Sequence, residues 1–269
     1  MQGKDKKVEI VVCIKQVPDT TEVKIDPVKN TLIRDGVPSI VNPFDEYATE
    51  AAIKIKEQYG GKVTVLTMGP PQAVSALRKC LAMGADEAIL ISDRAFAGAD
   101  TWATSYSLAK AIEKIGKPDI IFCGKMAIDG DTAQVGPGIA EHLHLPQTTY
   151  VQKIREVHED HLVVERAFEG GFEVIKVQLP AVIAVDKAIG EPRYPSVKGS
   201  IKASRMPVST WSAADIEAPA EKTGLNGSCT QVMQIFTPEV KIQSELLKGE
   251  TDEQLCNLLI KKLQAAEIV

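Results

Sequence analysis

Two rhythms of apolar residues alternate along the first half of the chain. Short aliphatic, β-branched runs stand at 8–14, 63–68, 88–91 and 120–123. Each is followed by a segment whose apolar residues return at helical spacing. The first run, Val8-Glu9-Ile10-Val11-Val12-Cys13-Ile14, predicts a buried parallel strand ending at Lys15-Gln16-Val17-Pro18-Asp19. Residues 19–34 contain Asp26, Pro27 and Asn30, which predicts a hairpin or an irregular excursion. Asn42-Pro43-Phe44-Asp45 opens a helix, because a proline in the first turn has no N–H to lose. Tyr47, Ala51, Ala52 and Ile55 mark its apolar face, and Gly60-Gly61 its end. Gly69-Pro70-Pro71 breaks the second strand, and Ala73, Leu77 and Leu81 mark a helix closed by Gly84. Strand 88–91 runs into a loop of small residues, 92–100. The helix predicted over 101–115 stops at Gly116 and Pro118.

The stretch 118–145 organises the rest. Ile120-Ile121-Phe122-Cys123 predicts a buried strand, followed by Gly124-Lys125-Met126-Ala127 and Ile128-Asp129-Gly130-Asp131. Gly136, Ile139, Ala140 and Leu143 then fall at helical spacing. Strand, glycine-bearing loop and helix is how an α/β protein presents backbone N–H groups to a phosphate. Gly124 and Gly130 let the backbone approach a ligand, and Thr132 is the expected N-cap. The loop matches neither G-x-G-x-x-G nor G-x-x-x-x-G-K-[ST]. From the loop alone, an ordinary βα turn is an equal reading.

Four β-then-α units predict an α/β fold with a doubly wound, mainly parallel, Rossmann-like sheet. Ligands of such folds bind at the carboxyl ends of the strands. Loops 13–15, 42–45, 67–70, 93–101 and 124–136 converge there, which makes a nucleotide crevice the expected site. From 148 the pattern changes. Runs at 151–154, 162–166, 172–177 and 181–185 read as antiparallel strands, with turns at His158-Glu159-Asp160 and Gly170-Gly171. Residues 186–194 are polar and turn-rich, and 200–205 are short and basic. A linker after 217, the apolar run Gln231-Val232-Met233-Gln234-Ile235-Phe236-Thr237-Pro238 and a helix over 252–265 complete the chain. The expected division is a nucleotide-binding domain, 1–224, and a C-terminal helical arm, 225–269. The arm lacks a core of its own and is expected to pack on a partner subunit.

Composition narrows the function. A net charge of −5, without a basic stripe interleaved with aromatics, argues against a nucleic-acid surface. No apolar stretch approaches the ~20 residues of a membrane span, and the run after residues 1–7 is short for a signal segment. The expected location is cytoplasmic. Five cysteines form no C-x-x-C pair and four histidines show no metal spacing, so no metal is expected. Cys13 and Cys123 fall in buried strands, where small apolar packing competes with a ligand role.

Longer motifs carry a resemblance. They are Val164-Glu165-Arg166-Ala167-Phe168-Glu169-Gly170-Gly171-Phe172-Glu173-Val174-Ile175, continued by Leu179-Pro180-Ala181-Val182-Ile183-Ala184. Cys13-Ile14-Lys15-Gln16-Val17, Asn42-Pro43-Phe44-Asp45, Met83-Gly84-Ala85-Asp86, the 124–131 loop and Glu191-Pro192-Arg193-Tyr194 accompany them in order. Over nearly its whole length the chain resembles the beta subunit of electron transfer flavoproteins. The resemblance implies a heterodimer with an alpha subunit that carries an electron-transferring FAD. In the ordinary branch the beta crevice holds structural AMP. In the electron-bifurcating branch it holds a second FAD, reduced by NADH, whose electrons divide between the alpha FAD and ferredoxin or flavodoxin. Two departures from the ordinary pattern, 130–137 and 92–101, look like the bifurcating type, since small side chains there leave room for a flavin and a nicotinamide.

Site roles follow from the resemblance. Asn42, Phe44, Asp45, Thr67, Met68 and Gly69 are expected to line the adenosine. Gly124, Lys125, Ala127, Asp129, Gly130, Asp131, Thr132, Ala133, Gln134 and Val135 are expected around the phosphates. Phe96, Gly98, Asp100 and Thr101 are placed toward the ribityl or flavin end, and Cys13 and Lys15 below the ring or the adenine. Residues 186–194 resemble a recognition loop for an FAD-containing dehydrogenase of acyl-CoA or hydroxy-acid type. Ile189 is its expected exposed anchor, accompanied by Glu191, Arg193 and Tyr194; a capped surface turn is the other reading. No catalytic acid or base is required of this chain, because a flavin performs the hydride and one-electron chemistry itself. A nucleotide-hydrolysing or nucleotide-sensing protein is the competing class, against which stand the missing P-loop lysine and nucleophile.

Overall fold

A computed structural model describes residues 7–19, 25–26, 31–32, 38–234 and 244–268. The chain divides into two compact units, Met1–Met233 and Gln234–Val269. In the first, the strands are β1 (Val8–Cys13), β2 (Gln16–Pro18), β3 (Ile25–Asp26), β4 (Thr31–Leu32), β5 (Ser39–Val41), β6 (Gly61–Met68), β7 (Glu87–Ile91) and β8 (Ile120–Gly124). After them come β9 (Gln147–Val157), β10 (His161–Phe168), β11 (Gly171–Gln178), β12 (Ala181–Val185) and β13 (Ser209–Trp211). Its helices are α1 (Pro43–Tyr59), α2 (Val74–Met83), α3 (Thr101–Ile115), α4 (Val135–Leu143) and α5 (Val197–Arg205). The second unit contains α6 (Asp252–Ala265).

Nine strands form one sheet in the order β11-β10-β9-β12-β8-β1-β6-β7-β13. From β12 to β13 every pairing is parallel. Alternation along β1 shows the double winding. Ile10 and Val12 join one core with α1, α2 and α5, whereas Val11 and Cys13 join the other with α3 and α4. Successive side chains of a strand point to opposite faces, so a strand covered on both sides must be apolar throughout. The run Ile120-Ile121-Phe122-Cys123 is buried at every position for that reason.

The structure departs from the sequence expectation in three ways. The run 181–185 is not antiparallel: β12 lies in parallel between β8 and β9. All five of its residues are buried, the signature of a central strand, but an apolar run alone carries no direction. Only β9, β10 and β11 form the antiparallel meander. Strand β13 closes the far edge with a short, partly exposed Ser209–Trp211, too polar to stand out in sequence. Third, Thr132 does not cap a helix. Helix α4 begins at Val135 with Gln134 at the N-cap and no side-chain capping bond. In the 19–34 excursion, β3 and β4 pair antiparallel; the rest of it lies outside the described residues, as does the part of the apolar run from 235 to 238.

Candidate functional site

The parallel strands β1, β6, β7, β8 and β12 end on one edge of the sheet, and the expected loops meet there. The first turn of α1 ties two of them. Asp45 is buried, and its Oδ2 accepts from the Lys15 N–H at 2.7 Å while Oδ1 accepts from the Gly124 N–H at 3.1 Å. A Cβ at Gly124 would overlap Asp45 Oδ1 and the Phe44 backbone, so this position admits only glycine. Burial pushes the Asp45 carboxyl up to about 7, against the opposing pull of the Lys15 amide, the Asn42 side chain and the Gly124 amide. Asn42 makes the second tie, its Nδ2 donating to Met126 O at 2.9 Å and its Oδ1 accepting from the Ile128 N–H at 3.1 Å. The Thr67 hydroxyl donates to Ile14 O at 2.7 Å, joining β6 to the end of β1. The Lys15 ammonium crosses to Asp129 at 2.6 Å. Lys15, Asn42, Asp45, Thr67, Gly124 and Asp129 therefore belong to one connected rim.

Beyond Asp129 the backbone takes an unusual course. Asp131 and Ala133 have φ of 49° and 53°, left-handed values that are rare for residues with a side chain. Left-handed residues alternating with ordinary ones are the backbone pattern of an anion nest. Among the described residues the amides of Thr132, Ala133, Gln134, Val135 and Gly136 donate to no acceptor. These free donors lie at the N-terminus of α4, where the helix dipole adds positive potential. A side chain at Gly130 would meet open space.

The wall of this cradle comes from α3. Thr101 Oγ1 donates to Gln134 Oε1 at 2.8 Å, and Ser105 Oγ lies 3.2 Å from Val135 O. A Cβ at Gly138 would overlap the Ser105 side chain, so the two helices approach closely. The other residues expected toward the flavin end are committed elsewhere. Phe96 is buried in the core beneath α3 and α4, and Gly98, at φ 73°, lies against Leu225. Asp100 caps α3, its Oδ1 accepting from Trp102 and Ala103 N–H groups at 3.0 Å. Its Oδ2 accepts from the backbone N–H groups of Cys229 and Thr230. Burial opposes the Asp100 charge, but these donors outweigh it and hold the carboxyl below its usual range.

Lys125 faces away from the cradle. Its ammonium pairs with Asp186 at 2.7 Å and lies over the rings of Phe44 and Tyr150. Cys13 and Cys123 are in register on β1 and β8. The Cys13 contact and burial push the Cys123 thiol well above its usual value, which favours inert packing over reactivity. Met68 is half-buried, and the Gly69 N–H donates to Ile91 O.

The turn over 186–194 differs from expectation. Ile189, expected as an exposed anchor, is half-buried against the core. Arg193 binds Glu50 at 2.8 Å and Glu57 at 2.6 Å, which holds its charge more firmly than usual. Glu50 is buried on α1 and was not apparent from sequence; an acidic residue on an otherwise apolar helix face was its only signal. The exposed apolar residues are instead Tyr194 (94%), Val197 (79%) and Ile201 (52%).

The comparisons with known proteins bear directly on this geometry. The model of the electron transfer flavoprotein domain matches residues 29–216. The electron transfer flavoprotein subunit beta of Thermoanaerobacterium thermosaccharolyticum is 53% identical over 261 residues, covering 97% of this chain and 99% of the relative. The chain belongs to the electron transfer flavoprotein family, as a beta subunit. The caffeyl-CoA reductase-Etf complex subunit CarD of Acetobacterium woodii is 51% identical, covering 97% of this chain and 99% of CarD. Protein FixA of Azorhizobium caulinodans is 47% identical, covering 94% of this chain and 93% of FixA. An electron transfer flavoprotein beta subunit implies an alpha-subunit partner and an association with flavin or AMP. No helix among the described residues is long and apolar enough to cross a membrane.

Proposed function

We propose that this beta subunit holds an adenine nucleotide in the crevice and that the nucleotide is a bifurcating FAD. The observation that carries the reading is the row of unpartnered amides from Thr132 to Gly136 at the start of α4. Amides with no acceptor among the described residues, set in a backbone with two left-handed residues, are donors suited to an anion. A pyrophosphate suits such donors, the loops tied by buried Asn42, Asp45 and Thr67 border the adenosine end, and Thr101 and Gln134 border the continuation. When bound, FAD supplies hydride acceptance from NADH and one-electron transfer, toward the alpha-subunit FAD and toward ferredoxin or flavodoxin. The chain's own task is positioning: Asp45 and Asn42 fix the strand ends, and the nest neutralises phosphate charge. The open space beside Gly130 favours FAD over structural AMP, the alternative. The naming of CarD as part of a reductase-Etf complex is consistent with a stable assembly around such a flavin.

Two surfaces fit the protein partners. Exposed Tyr194, on the turn pinned by Arg193, with Val197 and Ile201 on α5, suits docking of an FAD-containing dehydrogenase. Helix α6 buries none of its residues and exposes Leu258, Leu259 and Ile260, which suits packing of the arm on the alpha subunit.

The deciding experiment is co-expression with the alpha subunit, acid release and quantification of nucleotides. Two FAD and no AMP per heterodimer is the expected result. One FAD with one AMP would leave an ordinary electron carrier, and no nucleotide in the beta subunit would overturn the crevice itself.

A further inference from the structure

The segment 224–230, which precedes the exit of the chain from its first unit at Met233, is held almost wholly by polar bonds to the 95–100 loop. The Leu225 N–H donates to Ala97 O at 3.1 Å, and the Asp100 N–H donates to Ser228 Oγ at 2.8 Å. Asp100 Oδ2 accepts from the Cys229 N–H at 2.8 Å, the Thr230 N–H at 2.9 Å and the Thr230 hydroxyl at 3.1 Å. Gly224, at φ 54°, lies so close that a Cβ would overlap the carbonyl oxygens of Ala95 and Ala97. Apolar burial contributes little, since Leu225 is nearly half exposed and Cys229 and Thr230 are exposed. One carboxylate therefore does two jobs. Its Oδ1 caps α3 and its Oδ2 holds the root of the C-terminal arm.

The same first turn of α3 touches the amide cradle. Thr101, next in sequence, bonds Gln134, and Ser105 bonds Val135 O. We propose that Asp100 is a positioning residue that links occupancy of the cradle to docking of the arm root at 224–230. A ligand that fixes Gln134 and Val135 restrains Thr101 and the first turn of α3. That restraint orients the Asp100 carboxylate toward Cys229 and Thr230. Linkage is reciprocal, so whatever factor the ligand adds to docking of the root, the docked root adds to ligand affinity. The inference rests on the crevice binding a nucleotide.

The test separates the two ends of the carboxylate. Asp100→Ser keeps a good N-cap for α3 but is too short to serve the arm root as well. Hydrogen exchange is followed by mass spectrometry on the alpha–beta heterodimer, stripped of nucleotide and then saturated with AMP. Peptides over 101–108 and 225–233 are compared. In Asp100→Ser, exchange at 225–233 should rise by about tenfold or more, as expected for losing bonds to a charged acceptor, with 101–108 unchanged. In the wild type AMP should slow exchange at 225–233, and in the variant it should not. Equal exchange at 225–233 in variant and wild type overturns the proposal. So does AMP binding, measured by calorimetry, that leaves that peptide unmoved in the wild type. If AMP and FAD both fail to bind the wild type, the crevice reading and the linkage fall together, and the variant's exchange then reports only the arm-root bond.

Discussion

Asp45 offers the sharpest test of the rim, because its effect on stability changes with pH in a defined direction. It is buried, and burial raises its carboxyl from 3.8 to about 7 in the folded chain. In the unfolded chain it ionises near 3.8, so between those values the native state binds the extra proton. Stability from this group is complete below about 4 and is lost as pH rises to about 7. The full loss is worth about 4 kcal/mol, at about 1.4 kcal/mol per pH unit. Between pH 5 and pH 8 the same arithmetic gives a loss of about 2–3 kcal/mol. Asp45→Asn removes the titration and keeps the shape. Its amide can accept from only one of the Lys15 and Gly124 N–H groups, which costs about 1–3 kcal/mol at every pH. Urea unfolding of both proteins at pH 5 and pH 8 reads the difference. The variant should gain about 2–3 kcal/mol on the wild type over that interval, whatever its offset at pH 5. An offset that stays constant from pH 5 to pH 8 would refute the reasoning, since Asp45 would then ionise in the fold as it does in water.

Two further substitutions probe neighbouring ties. Gly124→Ala places a methyl against Asp45 Oδ1 and the Phe44 backbone; it should cost about 1–3 kcal/mol in thermal melts and strip nucleotide from the purified heterodimer. Unchanged nucleotide content would show that the rim tolerates displacement of β8. Arg193→Ala leaves buried Glu50 with only Lys54, at 3.7 Å, and the backbone N–H of residue 193. Because Arg193 is itself one-third exposed, the loss should be about 2 kcal/mol rather than the larger cost of a fully buried pair. Glu50→Gln in the same background should recover most of it, and no recovery would mean that Arg193 acts through packing alone.

The parallel half of the fold was legible because its strands are apolar at nearly every position and its helices are punctuated. Pro43 after Asn42 and glycines 60, 84 and 116 mark helix ends in the structure as they do in the sequence. Strand direction was not legible at β12, where five buried residues look the same parallel or antiparallel. The start of α4 lies two residues beyond the expected one, since Thr132 is a good cap by type while the backbone at Asp131 and Ala133 turns left-handed instead. Ile189 is half-buried rather than exposed because it packs against a core built from residues distant in sequence, which its own segment does not reveal.

The sequence by itself determined the α/β class, the family and the list of loops that gather at the carboxyl edge, because local periodicity and long motifs are properties of contiguous residues. Tertiary structure alone decided what those loops do with their polar groups. It assigned Asp45 to two strand ends, Lys125 to the turn at 186, Asp100 to both a helix cap and the arm root, and left the amides of 132–136 without an acceptor among the described residues. A hydrogen bond between residues a hundred positions apart has no signature in either segment. It exists only once burial of the apolar faces has set where the segments meet.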